Sequence, residues 1–373
     1  MLERVAAFTD TYLPTVNGTT YAVRTWRDRW TRRGGRMEVV FPDAAGYEPG
    51  DGEHPLPSVG FPFYEGFRLG QPRVPRTLPR IDVVHAHTPF PIGLAALRYA
   101  RTAALPLVAS YHTPTAAYAP YVAPGERLAD LVGRGVTAYE RRFYDRADLV
   151  LVPSTTTRDD VRERVGVSTP VRVVPNGVDT ERFRPVDATR FRDRYGLEPD
   201  RPLIGYTGRH GHEKRLQELL EAAARLETDR VTVVFGGDGP ARPALERRAA
   251  ALGVDARFLG FLDRDDLPAL YAALDVFAFP SPVETRGMVA LEAMACGTPV
   301  VAVDAGALAE TVSDGETGLH YPPCDDESFA RAIERVLADR AAFEERCLEH
   351  RSSIGVDRAI DRLQRAYASL TVR

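Results

Sequence analysis

The chain has 373 residues, of which 44% are apolar and 27% charged, and its formal net charge is −4. That length exceeds what one hydrophobic core organises well, so we expect two domains of about 170 to 200 residues each. The composition is that of a soluble globular protein, and no stretch of about 18 consecutive apolar residues occurs, which excludes a membrane-spanning helix.

The amino-terminal residues and the cysteines predict a cytoplasmic protein. Residues 1–8 read directly as a buried strand and are too short for the apolar core of a secretion signal. The three cysteines, Cys296, Cys324 and Cys347, are odd in number and lack metal-binding spacing, which indicates reduced thiols. No nucleic-acid partner is expected.

Short apolar runs in the first half of the chain predict buried strands. A segment rich in proline, glycine and aromatic residues, 42–79, interrupts them, and loops of that length are usually functional or mobile. The predicted strands of this half span residues 4–9, 37–41, 82–85, 107–110 and 149–152.

The second half alternates apolar runs with helical periodicity more regularly. Such alternation predicts βαβ units, and therefore a parallel sheet with helices on both faces. The predicted strands span residues 202–207, 231–235, 258–259, 276–279 and 299–303, and the predicted helices span residues 214–226, 241–252, 265–274 and 287–295.

Both halves thus predict an α/β fold of two doubly wound, Rossmann-like domains that face each other across a cleft. Residues 1–172 are predicted to form the first domain and residues 173–351 the second, with the turn-forming stretch 175–179 as a hinge. A further amphipathic helix is predicted at residues 352–370. Ligands of such folds lie beyond the carboxyl ends of the strands.

Of the 48 lysine and arginine residues, only Lys214 is a lysine. It ends the stretch Gly-Arg-His-Gly-His-Glu-Lys at residues 208–214, between a predicted strand and a predicted helix. Arginine suits planar, bidentate partners, whereas lysine is a mobile point charge and a common phosphate ligand. Because α/β folds place anions at strand-to-helix turns, we expect Arg209 and Lys214 to bind phosphate.

The segment 280–297 carries the second group of candidate residues. A turn bearing Glu284 is followed by a helix that begins at about Gly287. The first amides of a helix have no partner within it, and together with the helix dipole they can hold a diphosphate. Glu284, and Glu292 about two turns further on, would then accept hydrogen bonds from neutral hydroxyl groups that flank the diphosphate. A nucleotide sugar has this arrangement of groups.

In this order, the motifs resemble those of the family 4 glycosyltransferases, which are retaining enzymes of the two-domain GT-B fold. The resemblance covers nearly the whole chain and implies a hexosyltransferase that uses a nucleotide sugar, with a C-terminal helix that crosses back to the first domain. It is carried by the Glu-x7-Glu of Glu284 and Glu292, the Gly-Arg-x4-Lys of Gly208, Arg209 and Lys214, the Pro-Asn-Gly-Val-Asp at 175–179 and the motif at 8–18.

The resemblance also implies a role for each matching residue. Arg209 and Lys214 would stabilise the leaving nucleoside diphosphate, Glu284 would orient the donor sugar, and His112 would lie near the transferred sugar. Further donor-binding roles are implied for Asn17, Gly18, Gly208, Gly287, Met288, Val289 and the ribose-binding Glu292, with the nucleobase near Gly260, Phe261 and Leu262.

No carboxylate pair is arranged as the nucleophile and acid of a glycosidase, so the resemblance implies retention by same-face attack, with a donor phosphate oxygen taking the acceptor proton. The one Asp-x-Asp, Asp263-Arg264-Asp265, precedes a predicted helix, where acidic residues commonly serve as caps. We therefore expect no metal and no cofactor, and glucose or mannose as the transferred hexose on family grounds.

Three features favour a lipid or glycolipid acceptor. Many family members carry Glu-Pro-Phe-Gly where residues 284–287 of this chain read Glu-Thr-Arg-Gly, a form that resembles members acting on membrane lipids. The stretch 111–113, Tyr-His-Thr, followed by Tyr118 and Tyr121, resembles the same members.

The third feature is a pair of arginine-rich runs. Residues 24–36 hold six arginines and one acid, interleaved with Trp26 and Trp30, and residues 68–80 hold four arginines and no acid. Either run can be an ordinary solvated face, and together they suggest a peripheral contact with the anionic inner face of a membrane.

Several other functions fit the same residues. A family member can act on a soluble or polysaccharide acceptor. A nucleotide-sugar epimerase or a non-catalytic nucleotide-sugar binder can share the fold. A phosphorylase of similar architecture would use Lys214 to anchor pyridoxal phosphate, but such enzymes are far longer chains.

Overall fold

The computed structural model describes residues 3–61, 68–115, 125–227 and 230–371. The chain divides into two compact units, the first formed by Met1–Gly177 with Val356–Arg373 and the second by Val178–Gly355. The divisions fall a few residues beyond the predicted positions at 172 and 351. Each unit is built on a parallel sheet with helices, which confirms the predicted α/β fold class.

The described part of the first unit contains nine strands: β1 Arg4–Phe8, β2 Arg36–Pro42, β3 Glu53–Leu56, β4 Ser58–Gly60, β5 Arg68–Gly70, β6 Val83–Ala86, β7 Leu107–Ser110, β8 Leu149–Val152 and β9 Val171–Val173. Seven of them form one sheet in the order β3-β2-β1-β6-β7-β8-β9, in which all neighbours are parallel. The strand order reverses between β1 and β6, which is the switch point where such sheets bind ligands. β4 and β5 form a separate antiparallel pair within the predicted loop.

The second unit has a six-stranded parallel sheet in the order β12-β11-β10-β13-β14-β15. The order reverses between β10 and β13, so this sheet also has a switch point. Its strands are β10 Leu203–Thr207, β11 Thr232–Gly236, β12 Ala256–Gly260, β13 Val276–Phe279, β14 Val300–Val303 and β15 Gly318–Tyr321.

Thirteen α-helices lie in the described residues, and the last of them belongs to the first unit. None of the described helices is long and apolar enough to cross a bilayer. The helices are α1 Gly18–Arg32, α2 Pro91–Ala103, α3 Glu126–Tyr144, α4 Thr155–Asp160, α5 Thr189–Tyr195, α6 Gln217–Ala223, α7 Arg242–Leu252, α8 Leu267–Ala273, α9 Met288–Ala295, α10 Leu308–Thr311, α11 Asp326–Ala338, α12 Arg340–Ile354 and α13 Val356–Thr371.

Two of the differences between the observed and the predicted helix boundaries have a local structural cause. The helix expected from Lys214 begins only at Gln217, because His212–Lys214 form a 3₁₀ turn and Arg215 then takes a left-handed conformation with φ 49°. The single helix expected at 352–370 is two helices, since α12 ends at Ile354 and α13 begins at Val356, after Gly355.

Helix α13 completes the core of the first unit by packing beside α1. Trp30 of α1 meets Tyr367 of α13 edge-on, with ring centroids 5.4 Å apart. Ile360 and Leu363 are fully buried in the same cluster as Trp26 and Trp30. This helix therefore covers one face of the first sheet, as the resemblance implies.

Most arginines of the run at 24–36 have acidic partners within the protein, so this run lends little support to a contact with an anionic surface, which stays a prediction. Both tryptophans are buried rather than interleaved with the arginines on the surface. Five of the six arginines pair with acids: Arg24 with Asp28, Arg27 with Glu53, Arg29 with Asp357, Arg33 with Asp357 and Asp361, and Arg36 with Glu38.

We expect Leu363→Ala to lower the free energy of unfolding by about 2 to 5 kcal/mol, because it leaves a cavity where α13 meets the core. Gln364→Ala, one residue further on the exposed side of the same helix, should change it by less than about 0.5 kcal/mol. Urea unfolding followed by tryptophan fluorescence measures both. Equal effects of the two substitutions would show that α13 is not part of the core.

Candidate functional site

The switch point of the second sheet carries the candidate residues of that unit. β10 is followed by the loop 208–216 and β13 by the loop 280–287. Because β10 and β13 are parallel neighbours, both loops leave the same edge of the sheet. The structure therefore brings the Gly-Arg-x4-Lys stretch and the Glu284 turn together.

An ion pair joins the two loops. Lys214 Nζ donates to Glu284 Oε1 at 2.6 Å, and the two side chains are 14% and 16% exposed. Arg209 pairs with Glu213, whose carboxylate is buried. Since an ammonium has three N–H donors and a guanidinium five, both cations can bind an anion while they keep these carboxylates.

The loop 236–240 is hydrogen-bonded to the loop 208–216, which carries Arg209 and Lys214. Gly208 N donates to Gly236 O at 3.0 Å and His210 N donates to Asp238 O at 2.8 Å. Gly237 has φ 105°, and a Cβ atom there would lie 2.1 Å from Gly208 O. These contacts hold residues 208–210 in place.

Helix α9 begins where the sequence predicts. Gly287 is its N-cap, with φ 70°, and a Cβ atom there would lie 2.5 Å from Leu308 Cδ2. The glycine is therefore needed for backbone conformation and packing as well as for ligand approach. Among the described residues, none accepts a hydrogen bond from the amides of Met288 or Val289. These amides are available for an anion.

Arg286 is one of the two residues that differ from the usual family sequence, and it has partners within the second unit. The half-buried Arg286 lies 3.7 Å from Glu310, and its carbonyl accepts a hydrogen bond from Thr311 Oγ1 at 2.7 Å. Ala307 N donates to Glu284 O at 3.3 Å. The turn that carries Glu284 is thus anchored to α10 and the residue before it.

Glu292 is buried within α9, and both of its carboxylate oxygens have partners. Tyr271 donates its hydroxyl to Oε2 at 2.9 Å, and an Arg264 Nη lies 3.2 Å from Oε1. Burial raises the pKa of Glu292, and Arg264 and Tyr271 oppose that shift. Arg264 also lies over the ring of Phe183. Because a carboxylate has about four acceptor sites, Glu292 can still bind hydroxyl groups.

The predicted nucleobase residues follow β12. Gly260 accepts a hydrogen bond from Gly237 N at 2.7 Å, and Leu262 is buried. Phe261 is 66% exposed, which is unusual for a phenylalanine and leaves its ring available for stacking.

The Asp263-Arg264-Asp265 stretch does not cap a helix, which corrects the prediction. The residue before α8 is Asp266, and its side chain makes no capping hydrogen bond. Arg264 instead pairs with Glu292, and Asp265 pairs with Arg182. In residues 3–61, 68–115, 125–227 and 230–371, no group of three potential metal ligands occurs.

The switch point of the first sheet is organised by Asp10, which the sequence did not single out. Its buried carboxylate accepts hydrogen bonds from Thr88 Oγ1 at 2.7 Å and from the amides of Ile92 at 2.9 Å and Gly93 at 3.2 Å. It therefore caps α2, since the N-cap residue Phe90 makes no side-chain capping bond. Burial raises the pKa of Asp10 to about 6.

Asn17 and Gly18 begin α1 near that switch point. Asn17 Oδ1 accepts from Thr20 N at 2.9 Å, and its amide donates to Thr11 Oγ1 at 2.6 Å. Asn17 thus serves as a helix cap, a role the sequence prediction did not include. Gly18 is exposed, and a Cβ atom built there would meet no described atom within 4 Å.

His112 follows β7, is half-buried, and lies beside the buried rings of His87 and His85. Its Nε2 lies 3.0 Å from His87 Nδ1, and the two imidazoles are nearly parallel with centroids 5.3 Å apart. His85 stacks on His87 at 4.0 Å, and Trp26 packs beside all three rings. Burial lowers the pKa of His112 to about 4, so its imidazole is neutral at physiological pH.

Of the three tyrosines that suggested a lipid acceptor, Tyr111 lies in the described part of the chain and is a core residue, and the lipid acceptor stays a prediction. Tyr111 is fully buried in the core, and its hydroxyl accepts a hydrogen bond from Arg164 at 3.3 Å. Tyr118 and Tyr121 lie outside the described residues.

Two protein-family models match successive parts of this chain. Glycosyltransferase Family 4 matches residues 16–182, and Glycosyl transferases group 1 matches residues 187–352. A GDP-mannose-dependent alpha-mannosyltransferase from Mycolicibacterium smegmatis is 33% identical over 354 residues, which are 91% of this chain and 90% of that protein. The chain belongs to the family 4 glycosyltransferases.

Other proteins resemble this glycosyltransferase at lower sequence identity or over a smaller share of the two chains. Sulfoquinovosyl transferase SQD2 from Arabidopsis thaliana is 35% identical over 76% of the chain, but the match spans only 56% of that relative. Alpha-monoglucosyldiacylglycerol synthase from Streptococcus pneumoniae is 29% identical over 85% of the chain and 75% of its own length. The structure of sucrose-phosphate synthase from Thermosynechococcus elongatus superposes with a TM-score of 0.77 at 23% identity, over 98% of this chain and 99% of that one. This likeness confirms the GT-B fold.

Sequence reasoning missed several residues that shape the two sites of the glycosyltransferase. His85 and His87 could have been found, because they alternate along and just beyond β6 with the same period as Ser110 and His112 along and just beyond the neighbouring β7, and so are expected on one face. Tyr271 and Arg264 gave no such signal, since only the fold brings them to Glu292.

Glu140 is another buried carboxyl of the first unit, near Thr115. Glu140 of α3 is 1% exposed; its Oε1 accepts from Thr115 N at 3.2 Å, and its Oε2 has no partner among the described residues. Burial raises the pKa of Glu140 from 4.5 to about 7. The folded protein therefore holds this proton more tightly than the unfolded chain does, and the stability contributed by Glu140 falls as the pH rises from 4.5 to 7.

We expect Glu140→Gln to become progressively more stable than the wild type as the pH rises. The amide cannot titrate, so the difference in unfolding free energy should grow by up to about 3 kcal/mol between pH 4.5 and 8. Asp10 titrates in both proteins and cancels in the difference. Urea unfolding at a series of pH values measures it, and a difference independent of pH would contradict the shifted pKa.

Proposed function

We propose that this glycosyltransferase moves a hexose, glucose or mannose, from a nucleoside-diphosphate sugar to a hydroxyl group of a lipid or glycolipid, with retention of anomeric configuration and without a metal. The observation that carries the proposal is the Lys214–Glu284 ion pair, which lies at the switch point where Met288 and Val289 offer two amides. One edge of the sheet therefore offers cations and amides to a diphosphate and a carboxylate to sugar hydroxyls.

The donor diphosphate would bind to Arg209, Lys214 and the first amides of α9. Breaking the sugar–phosphate bond develops negative charge on the leaving diphosphate, and fixed cations and amide dipoles aimed at that charge are usually the largest catalytic contribution. Lys214 and Arg209 supply the positive charge that a metal supplies in other transferases. Glu284, held by Lys214, would accept hydrogen bonds from the hexose and fix its orientation.

Retention of configuration is proposed from the family resemblance, and the site is compatible with it. The acceptor hydroxyl attacks the face from which the diphosphate departs, and a phosphate oxygen of the leaving group takes its proton. The new glycosidic bond thus replaces the sugar–phosphate bond on the same face, and no protein carboxylate is needed as nucleophile. His112 would contact the transferred sugar, and Glu292 would bind the ribose, with the base stacked on Phe261.

We expect calorimetry in the presence of chelator to show binding of either UDP-glucose or GDP-mannose. Lys214→Ala should abolish measurable binding and lower turnover by about 10²-fold or more, because it removes a cation from the diphosphate and leaves Glu284 unpaired. Arg331→Ala removes an exposed ion pair with Glu327 and serves as the matched control.

Two outcomes would contradict this part of the proposal. Unchanged donor binding by Lys214→Ala would remove Lys214 from the diphosphate site. A product of inverted anomeric configuration, read from its proton NMR coupling, would exclude the retaining mechanism.

The surface of α3 supports a membrane-bound acceptor. Leu128 is 44% exposed, Leu131 64% and Tyr139 40%, and their spacing places them along one stripe of the helix together with Gly135 and Ala138. The exposed arginines Arg127, Arg134 and Arg141 follow one side of the stripe, although Arg134 lies 3.2 Å from Asp130 and Arg141 lies 3.7 Å from Asp145. An apolar stripe beside a row of cations is typical of helices that lie in the headgroup region of anionic membranes.

The second arginine-rich run adds further positive charge to the first unit. Arg73, Arg76 and Arg80 are exposed, and no described residue forms an ion pair or a side-chain hydrogen bond with them. One relative, the Streptococcus pneumoniae protein, is an alpha-monoglucosyldiacylglycerol synthase by name, which is consistent with a lipid acceptor.

We expect the purified protein to sediment with vesicles that contain phosphatidylglycerol, at low salt, and not with purely zwitterionic vesicles. Leu131→Glu combined with Arg134→Glu should weaken this binding by about tenfold or more, because it removes an apolar contact and reverses a charge at the surface. Val186→Glu with Arg190→Glu changes one exposed apolar residue and one exposed arginine in the second unit and is the matched control.

Failure of the wild type to bind anionic vesicles would overturn the lipid proposal. The donor experiment would then stand alone, and a soluble or polysaccharide acceptor would become the favoured substrate.

A further inference from the structure

An ion pair between Arg264 and Glu292 joins the loop that follows β12 to helix α9. An Nη atom of Arg264 lies 3.2 Å from Glu292 Oε1, and the two side chains are 15% and 5% exposed. The guanidinium also lies over the ring of Phe183, with its central carbon 5.0 Å from the ring centroid. The same loop carries Phe261, three residues before Arg264. The ion pair therefore links the proposed base-binding loop to the carboxylate that is proposed to bind the ribose.

Glu292 needs a nearby cation to stay ionised. Its neighbours on either side in α9, Leu291 and Ala293, are buried and apolar. Burial favours the neutral form of a carboxyl group. It is accordingly the largest influence on the pKa of Glu292 and raises it, whereas the charge of Arg264 is the strongest influence that opposes this shift. The ionisation of Glu292 thus depends chiefly on Arg264.

Three further groups act on Glu292 in the described part of the second unit. Tyr271 donates its hydroxyl to Oε2 at 2.9 Å, and burial raises the pKa of this tyrosine well above 10, so it stays neutral. Burial raises the pKa of Cys296 to about 12, so this thiol is neutral as well. Arg182 lowers the pKa of Glu292 less than the ion-pair partner does, and its guanidinium is paired with Asp265.

The ionisation state determines how Glu292 can bind a ribose. A carboxylate has about four acceptor sites, and Arg264 and Tyr271 take up one on each oxygen. Each oxygen can then accept a further hydrogen bond from one of the two adjacent ribose hydroxyl groups. Hydrogen bonds to an ionised acceptor are about twice as strong as those between neutral groups. A protonated Glu292 would lose an acceptor site and this additional strength.

We propose that Arg264 is a positioning residue of the donor site, which keeps Glu292 ionised and oriented so that both carboxylate oxygens accept hydrogen bonds from the ribose. Arg264 acts on the ribose through Glu292 rather than by direct contact. The ion pair thereby sets the preference of the site for a ribonucleotide over a 2′-deoxyribonucleotide. The role toward ribose rests on the proposed function, whereas the charge state of Glu292 does not.

Infrared spectroscopy of the ligand-free protein tests the charge state, because a protonated carboxyl group gives a carbonyl band that a carboxylate lacks. The difference spectrum between the wild type and Glu292→Gln should show no such band from Glu292 at neutral pH. A protonated Glu292 in the wild type would overturn the proposal.

Two substitutions of Arg264 separate its charge from its hydrogen-bonding capacity. Arg264→Gln keeps an amide that can donate to Glu292 but removes the charge, whereas Arg264→Lys keeps the charge. We expect the carbonyl band at neutral pH in Arg264→Gln, its absence in Arg264→Lys, and its loss when Glu292→Gln is added to Arg264→Gln. A Glu292 that stays ionised in Arg264→Gln would contradict the proposal.

Calorimetry with UDP and GDP and with their 2′-deoxy forms tests the link to ribose. The ratio of the two dissociation constants reports on the ribose contact, because titration of the diphosphate affects both ligands alike. We expect the wild type and Arg264→Lys to prefer the ribonucleotide by about tenfold or more. Arg264→Gln should lose this preference at neutral pH and regain it as rising pH ionises Glu292. Arg194→Gln, which removes an ion pair with Asp266 near the same loop, is the matched control and should leave the ratio unchanged.

The outcomes distinguish failure of this inference from failure of the proposed function. If Arg264→Gln preferred the ribonucleotide as strongly as the wild type at every pH, Arg264 would have no positioning role, and the proposed function would stand. If the wild type bound neither UDP nor GDP, the proposed function and the role toward ribose would fail together, while infrared spectroscopy would still decide the charge of Glu292.

Discussion

The hydrogen-bonded ion pair between Lys214 and Glu284 is the contact on which the donor site depends. It joins the loops that follow β10 and β13, which are neighbours in the sheet although 70 residues separate the two side chains. A partly buried pair of this kind is costly to break, because each charge would lose its partner without regaining full hydration. It also keeps a cation and a carboxylate side by side at the edge of the sheet, so a ligand with both an anion and hydroxyl groups meets its complements in fixed positions.

The fold was largely predictable, because short apolar strands and amphipathic helices leave a periodic pattern that does not depend on distant residues. The errors occur where local geometry or distant partners decide. The 3₁₀ turn before Gln217 cannot be read from apolar spacing. The arginines of α1 looked like an anion-binding surface because Glu53, Asp357 and Asp361, which neutralise Arg27 and Arg33, lie far away in the sequence.

In the candidate site, too, some residues were predictable from the sequence and others depend on distant partners. Lys214 was identifiable by its rarity, and Glu284 and Glu292 by their position around a glycine that begins a helix. Their partners were not identifiable, since Tyr271 and Arg264 reach Glu292 only through packing of α8 and the preceding loop on α9. Sequence patterns thus reveal groups that can bind a ligand, whereas the groups that hold them in place emerge from tertiary structure.

The division of the first unit between the two ends of the chain constrains the order of synthesis. Residues 178–355 form the second unit without interruption, so they can fold as soon as they leave the ribosome. The first unit is made earlier but lacks α13 until residues 356–371 are made, and until then the surfaces of Trp26 and Trp30 that α13 covers are open to water. A nascent chain of this protein therefore exposes an apolar face to which chaperones can bind. The unit that is synthesised first is the last to complete its core.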